Sequence, residues 1–198
     1  MRTLAKPVFV LISVVFSIGA SDQAANSKIS GVYLTAADYE ATQLSFQGIC
    51  GSGAHKLALH DVLNKPYIDV THDHEKRRYP KSDFFGFRAC DGRDYRFGGN
   101  LEYQILEAKA LYIYARETSE ARGKTFNTRR DYYFSVGPEG KIMVLTLDNL
   151  KQALPDNHRF HDSLDMTFGA GQSLAEYDEF HKMFKVNRLL IASREQQP

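Results

Sequence analysis

The sequence predicts an α+β fold in which an antiparallel sheet of about seven or eight strands is followed by three C-terminal helices. Between residue 31 and about residue 146, apolar and polar side chains alternate with a period of two, which is typical of strands that bury one face. After Thr146 the apolar residues recur at helical spacing. A sheet followed by helices is an α+β arrangement, with the helices covering one face or one end of the sheet. An open sheet and a closed, eight-stranded barrel both fit this pattern.

Turn residues divide the first part of the chain into strands. Thr35 is a favourable N-cap, so a short helix is predicted over residues 36–43 before the first long stretch of strands. Asp91-Gly92 predicts a tight hairpin, because this dipeptide tolerates positive φ angles. Residues 137–140, Gly-Pro-Glu-Gly, predict a second hairpin. One strand between them sets alternate residues on its two faces, Leu111, Ile113 and Ala115 against Tyr112, Tyr114 and Arg116.

Three helices are predicted after Thr146. The first carries a stripe of leucines and stops at Pro155, which cannot continue a helix. Asp156 or Asn157 caps the second, which ends at two glycines. Its apolar residues are Phe160, Leu164 and Phe168. The third opens with a capping box at Ser173 and Glu176. Its predicted buried stripe is Tyr177, Phe180, Phe184 and Ile191, with Asn187 in the same row and bonded to backbone.

Residues 1–20 have the pattern of a secretory signal peptide. Arg2 and Lys6 are basic, the stretch from Pro7 to Ile18 is almost wholly apolar, and small residues follow. The alternative, a membrane anchor, needs roughly 20 apolar residues, and this run is shorter. We therefore expect a periplasmic or secreted protein with no transmembrane segment after cleavage. Residues 21–29 are predicted to be a flexible lead-in and residues 30–195 a single globular domain.

The charge balance argues against a nucleic-acid partner. Cleavage removes two basic residues and no acidic one, so the formal net charge changes from +1 to −1. A dedicated nucleic-acid binder needs a sustained positive field, which this chain lacks.

Cys50 and Cys90 are the only cysteines. In an exported protein they are the sole candidates for a disulfide bridge, and each lies beside turn residues. The alternative is two free thiols in separate strands. The spacing leaves both interpretations open, because the Cα separation decides between them.

Residues 157–166, "NHRFHDSLDM", form the most distinctive polar cluster. On a helix, His158, His161, Asp162 and Asp165 share one face, and imidazole with carboxylate suits zinc and similar cations. The zinc-protease signature of paired histidines with an adjacent glutamate is absent. An amphipathic helix also presents polar groups opposite its apolar stripe, so a solvated structural face is the favoured interpretation.

A second histidine cluster lies in "THDHEKRRYP". His72 and His74 would share a strand face and Glu75 could join them, but Asp73-His74 is placed where a hairpin tip is expected. A solvated tip rarely completes a metal site alone. The sequence does not indicate that this cluster meets His158 and His161.

Familiar catalytic motifs are absent. The chain has no G-x-S-x-G elbow, Walker loop, dinucleotide-binding glycine fingerprint or C-x-x-C pair. No catalytic residue is assigned, and no cofactor or metal is predicted.

Four phrases resemble a group of small exported proteins from Bacteroidota-type bacteria: "GVYLTAADY", "FRACDGRDYRF", "YYFSVGPEGKIMVLTLDNLKQALPDNHRFHDSLD" and "YDEFHKMFKVNRLL". The resemblance covers roughly residues 30–191. It implies an extracytoplasmic setting and carries over no active-site residue, because the group has no known function.

Two functional hypotheses follow. The first is a non-catalytic exported binding or structural module of the bacterial cell envelope, whose partner is an envelope protein or a small ligand. A tyrosine-rich strand face (Tyr112, Tyr114, and Tyr132 or Tyr133) and the groove between sheet and helices are the expected binding surfaces. The alternative is a metal-dependent hydrolase using His158, His161 and Asp162, which requires a further ligand from another element.

Overall fold

A computed structural model describes residues 29–122, 125–169 and 172–195. The predicted signal peptide, residues 1–20, and the predicted lead-in up to residue 28 lie outside this part of the chain. The described residues form four α-helices: α1 (Ala36–Glu40), α2 (Leu147–Ala153), α3 (His158–Thr167) and α4 (Lys185–Glu195).

The strands of the described residues fall into three sheets. They are β1 (Ile29–Tyr33), β2 (Ser45–Ile49), β3 (Lys56–Ala58), β4 (Tyr67–His72), β5 (Glu75–Pro80), β6 (Gly86–Arg88), β7 (Asp94–Gly98), β8 (Leu101–Ala108), β9 (Leu111–Arg122), β10 (Thr125–Val136), β11 (Met143–Val144), β12 (Tyr177–Asp178) and β13 (Met183–Phe184). The main sheet has eight antiparallel strands in the order β11-β10-β9-β8-β7-β6-β1-β2. Strands β3-β4-β5 form a small second sheet, and β12-β13 form a ribbon.

The α+β class and the large antiparallel sheet are confirmed, whereas the closed barrel is wrong. Strands β2 and β11 are the two edges of an open sheet and do not pair with each other. Strand β11 pairs through only two residues, too few to close a barrel. One face of the sheet is also covered by two separate layers, so the apolar side chains are buried without closure.

We call that covered side the packed face. It is one face because cross-strand partners share a side of the sheet. The register runs across successive strands from Val32 through Phe87, Tyr95 and Gln104 to Ala115. Ile113 and its partner Phe134 lie on the same side as Ala115. At the β8–β11 end, α2, α3 and α4 cover it and form the helical cluster, whose fully buried members are Leu111, Ile113, Phe134, Leu150, Phe160, Leu164, Val186 and Leu190. At the β1–β7 end, the small sheet covers it and forms the small-sheet cluster, made of Val32, Ile68, Val70, Phe84, Phe87 and Phe97.

The opposite side of the main sheet is a tyrosine face. Tyr33, Tyr112 and Tyr114 are almost fully buried there. Helix α1 covers part of it through Tyr39, whose ring contacts Tyr33 and Tyr112. The Tyr112 hydroxyl donates to Glu40 at 2.8 Å. The predicted Thr35 cap is confirmed, since its side chain accepts from the Asp38 N–H, and this helix is shorter than predicted.

Hairpins form at both places where the sequence predicts them in this region, but only one has the expected pair of positive φ angles. Strands β6 and β7 pair across Asp91-Gly92, where Gly92 has φ +82° and the φ of Asp91 is not positive. Asp73 and His74 form the two-residue tip between β4 and β5, with φ angles of +50° and +67°. Positive φ at both central residues is the requirement of the turn that joins twisted strands most tightly.

The cap of α3 is Asn157, one of the two residues predicted for it, and α2 has a cap at Thr146 that was not predicted. The Thr146 hydroxyl accepts from the Asn149 N–H, and the Asn157 side chain accepts from the Phe160 N–H. Helix α2 ends at Ala153, immediately before Pro155 can interrupt it.

The start of the last helix was predicted wrongly. Ser173 to Glu176 form no helix, and α4 begins at Lys185. The Asp178 side chain accepts from the backbone N–H groups of Phe180 and His181, and this local bonding turns the chain into the β12-β13 ribbon. Phe180 is consequently 89% exposed instead of buried.

Asn187 fastens α4 to the main sheet. It is fully buried, and its Oδ1 accepts from the Leu111 N–H at 2.7 Å while Nδ2 donates to the Leu111 carbonyl at 2.9 Å. Nδ2 also donates to Glu107 at 2.6 Å. The predicted backbone bonding of Asn187 is therefore confirmed. Glu107 reaches this position because a bulge between Ile105 and Glu107 places it on the packed face opposite Ile113.

The Cys50–Cys90 bridge ties the end of β2 to the segment after β6. The two Cα atoms are 5.7 Å apart, within the usual range for a disulfide. The predicted bridge is thus confirmed, and the alternative of two free thiols is wrong.

Asn187→Ala should lower the free energy of unfolding by about 2 kcal/mol or more, because it leaves the buried Leu111 N–H without its acceptor and removes one donor from the buried Glu107 carboxylate. Urea unfolding measures the change. Asn149→Ala is the matched control, since that exposed amide makes one bond, to the Val144 carbonyl. Equal losses in the two variants would contradict the role given to Asn187.

Replacing Cys50 and Cys90 together by serine should lower the free energy of unfolding by about 4 kcal/mol, because the bridge closes a loop of 40 residues in the unfolded chain. Urea unfolding with and without a reductant measures this. The reductant should destabilise the natural chain and leave the double-serine variant unchanged. No response of the natural chain would contradict the prediction.

Candidate functional site

The histidine cluster on α3 serves helix packing in this structure. His161 Nε2 lies 2.9 Å from the Leu154 carbonyl, and its ring meets the His158 ring edge-on at 5.9 Å. His158 and Asp162 are exposed. Asp165, on the same face, pairs with Lys151 of α2 at 2.7 Å. The cluster therefore connects α3 to α2 and the loop between them.

The second histidine cluster stays at its hairpin. The His72 ring contacts Phe46 edge-on, and its Nε2 is 3.5 Å from Asp73. His74 is exposed at the tip. Within residues 29–122, 125–169 and 172–195, no group of three or more histidine, cysteine, aspartate or glutamate side chains is arranged to hold a metal ion. The further ligand that the hydrolase alternative requires is thus not found in the described residues.

The predicted tyrosine surface is mostly inside the protein. Tyr112 and Tyr114 are buried, and Tyr114 bonds to Ser135 and Arg96 at 2.8 and 2.9 Å. Their positions suit packing and offer no open platform. A groove of about 630 Å³ does lie between β10, β11 and residues 172–175, and Tyr132 and Tyr133 both line it.

A second cleft, of about 600 Å³, lies on strands β7, β8 and β9. We call it the sheet cleft. Its floor includes Tyr95, Gln104 and Ala115, which lie side by side on the packed face. The loop between β3 and β4 supplies Asp61 and Asn64 at its rim. The cleft thus occupies a stretch of the packed face where polar side chains separate the small-sheet cluster from the helical cluster.

One wall of the sheet cleft is fixed by a buried ion pair. Glu102 lines the cleft, and its Oε1 is 2.5 Å from the ammonium of Lys81. The Lys81 side chain is only 1% exposed and also donates to the Asn100 carbonyl at 2.8 Å. A buried ammonium is tolerated only when charge and hydrogen bonds compensate it, so Lys81 and Glu102 hold each other in place.

Further groups in the sheet cleft are also held by neighbours. Tyr95 stacks on Phe87 with ring centroids 4.9 Å apart, and burial raises the pKa of Tyr95, so its hydroxyl keeps its proton at neutral pH. Arg130 donates to the Gln104 side-chain oxygen at 3.2 Å. Arg93 donates to Asp91 at 2.7 Å. These contacts orient a phenol, an amide and a guanidinium.

The chemistry of the sheet cleft is mixed. Its lining offers carboxylate acceptors, amide groups that both donate and accept, a guanidinium donor and one aromatic ring: Asp61, Asn64, Arg93, Tyr95, Glu102, Gln104 and Glu117. With the Lys81 ammonium on Glu102 and the Arg130 guanidinium on Gln104, the formal charges around the cleft cancel. Such a surface suits an uncharged ligand with many hydroxyl groups better than a strongly anionic one.

Sequence reasoning missed this site, although one signal for it was present. In "LEYQILEA" the positions of Glu102 and Gln104 alternate with apolar residues, so they form a polar row on one strand face. The strands on either side place apolar residues on that same face. This polar row indicates a cleft only when the strand order is known, because the order shows that apolar strands flank it on both sides.

Comparison with protein-family models, with curated proteins and with solved structures finds no match for this chain. None of the α-helices in the described residues has the length and apolar character needed to cross a bilayer.

Glu102→Leu should destabilise the protein by about 3 kcal/mol, because it leaves the buried Lys81 ammonium uncompensated. Adding Lys81→Met should recover much of that loss. Urea unfolding of the two single variants and the double variant gives the coupling between the positions.

The exposed pair of Lys185 and Glu176, also 2.5 Å apart, is the matched control. Glu176→Leu should change the free energy of unfolding by less than about 1 kcal/mol, since water screens that pair. Additive effects of the Lys81 and Glu102 substitutions would contradict the assignment of a coupled buried pair.

Proposed function

We propose that the protein is an exported, non-catalytic binding module of the bacterial cell envelope, and that the sheet cleft holds a small neutral saccharide. The observation that carries this proposal is the convergence, in one cleft, of polar side chains from separate elements that buried or stacked neighbours hold in position. Fixed groups bind more tightly than mobile ones, because less conformational freedom is lost when the ligand arrives.

The size of the cleft supports a small ligand. Its volume of about 600 Å³ lies within the range of about 300–1,000 Å³ that is typical of small-molecule sites. One face of the Tyr95 ring is covered by Phe87, so the ring is a rigid apolar surface beside the polar groups. An aromatic surface beside carboxylates and amides matches a sugar, which has an apolar ring face and a rim of hydroxyl groups.

A binding role explains why the Glu102 carboxylate in the wall of the sheet cleft is held in an ion pair. The Glu102 oxygen that faces Lys81 is occupied by the ammonium, and the carboxylate is held at a fixed place. This arrangement suits a permanent hydrogen-bond acceptor for a ligand hydroxyl. A general acid or base would instead have to exchange a proton with its substrate during turnover.

Export is supported by two features of the chain. Residues 1–20 have the composition of a signal peptide. The Cys50–Cys90 bridge belongs to a type that persists in oxidising compartments such as the periplasm or the exterior. The resemblance to exported proteins of Bacteroidota-type bacteria agrees with the same setting.

Titration of the protein lacking residues 1–20 with glucose, galactose, N-acetylglucosamine, maltose and cellobiose tests the proposal. Two-dimensional NMR should show saturable shifts at Tyr95, Gln104 and Asn64 with at least one of these sugars. Gln104→Ala should weaken that binding by about fivefold or more, because a hydrogen bond of roughly 1 kcal/mol is lost.

Gln152→Ala is the matched control, since Gln152 is exposed on α2 and away from the sheet cleft. It should leave the sugar affinity unchanged. No saturable response to any of the five sugars at tens of millimolar would overturn the saccharide assignment. Equal effects of the two glutamine substitutions would overturn the location of the site.

A further inference from the structure

A separate cavity of about 190 Å³ lies beside the disulfide, at the end of the small-sheet cluster away from the helices. Most of its wall is apolar and comprises Leu57, Leu59, Phe87, Ala89 and the Cys50–Cys90 bridge. Gly51, the exposed Lys56 and two buried polar side chains, Ser30 and His55, complete the lining. The cavity therefore has an apolar body and one polar end.

The polar end is a hydrogen-bonded pair. Ser30 Oγ and His55 Nε2 are 2.7 Å apart, and the two residues are only 3% and 5% exposed. Ser30 pairs across the strands with Gly48, over which the imidazole packs. A Cβ at Gly48 would lie 2.4 Å from His55 Cβ and Cγ, so the absence of a side chain there makes room for the ring. The position of the pair is thus fixed by the backbone of β1 and β2.

The pair leaves hydrogen-bonding capacity unused. Burial, together with the charge of His72, lowers the pKa of His55, and the Thr71 backbone opposes this shift in part. The imidazole is therefore neutral at neutral pH, with one donor and one acceptor nitrogen. If Ser30 donates to Nε2, both lone pairs of its oxygen stay open. If Ser30 accepts, its proton stays open. In either tautomer the Ser30 hydroxyl can form a second bond.

The second imidazole nitrogen supports a binding role over a nucleophilic one. His55 Nδ1 is buried and makes no hydrogen bond of normal geometry among the described residues, although the Thr71 backbone lies close enough to the ring to raise its pKa. A catalytic serine–histidine pair needs a third group that orients the base. The Ser30 hydroxyl is thus a hydrogen-bonding group at the end of an apolar cavity.

We propose that this cavity binds small monohydroxylated compounds with an apolar body, of which phenol is the simplest aromatic example, and that the Ser30 hydroxyl bonds the ligand hydroxyl. An apolar cavity of about 150 Å³ is large enough to hold benzene. The cavity beside the disulfide is slightly larger and adds the hydrogen-bonding partner that a phenolic hydroxyl requires. This site shares no lining residue with the sheet cleft, although the Phe87 ring in its wall stacks on Tyr95 of that cleft, and it does not rest on the sugar proposed to bind there.

Titration with phenol and with toluene, followed by NMR, tests this inference. Both compounds fit by size, but only phenol offers a hydroxyl group. The resonances of Leu57, Leu59, Ala89 and His55 should shift saturably with phenol, and phenol should bind about fivefold to tenfold more tightly than toluene. In Ser30→Ala the two affinities should become equal. Absence of saturable shifts, or an unchanged preference for phenol in Ser30→Ala, would overturn the proposal.

A cavity-filling variant keeps the test decisive if Ser30→Ala does not fold. Ala89→Leu adds three carbon atoms to the cavity wall and keeps the Ser30–His55 pair, so it should abolish phenol binding. Ser163→Ala is the matched control, because Ser163 lies on α3 and bonds only to the Arg159 carbonyl among the described residues. It should bind phenol as the natural chain does. Undiminished phenol binding by Ala89→Leu would place the ligand elsewhere and overturn the assignment.

Discussion

The hydrogen bonds of the buried Asn187 side chain hold the two halves of the chain together. They join α4 to the Leu111 backbone at the start of β9 and to Glu107 near the end of β8. Glu107 also accepts from the Phe184 N–H, so the ribbon before α4 is fastened at the same point. This contact is available only because the bulge in β8 turns Glu107 towards the packed face. The helical layer is thereby placed at one end of the main sheet. It leaves uncovered the region around Gln104, which forms the floor of the sheet cleft.

A single sheet face consequently supports three different environments. The helical cluster and the small-sheet cluster are apolar, and the sheet cleft between them is polar. The small sheet tolerates buried charge at its boundary because each charge has partners. One such pair is Lys81 with Glu102. Another buried charge is Asp69, which accepts from Arg78 and lies beside His60 and Lys76. The bonds from Arg78 hold the pKa of Asp69 far below its usual range. Groups fixed in this way are suited to hold a ligand without rearrangement.

The predictable parts of the fold were those controlled by neighbouring residues. The caps at Thr35 and Asn157 and the hairpin at Asp91-Gly92 follow from local backbone bonding, which the sequence displays directly. The last helix was misplaced because Ser173 and Glu176 match a capping box, while the bonds from Asp178 to the following N–H groups favour a turn. The sheet cleft and the Ser30–His55 pair could not be predicted, since each joins strand and loop residues that are distant in the chain and whose arrangement the sequence does not reveal. The bulge at Leu106 adds to this difficulty, because it reverses which residues of β8 point to each face.

The position of the sheet cleft between two apolar clusters also determines which of its residues can change during evolution without loss of stability. Gln104, Glu117 and Asn64 contribute to the cleft and to neither cluster, so their replacement costs little apolar burial. Lys81 and Glu102 are different, because a change at one leaves a buried charge at the other. On the binding function proposed for the sheet cleft, drift in ligand preference should therefore proceed first through Gln104, Glu117 and Asn64. The ion pair should change rarely, and then both members together, so related chains would share that pair more often than they share a ligand.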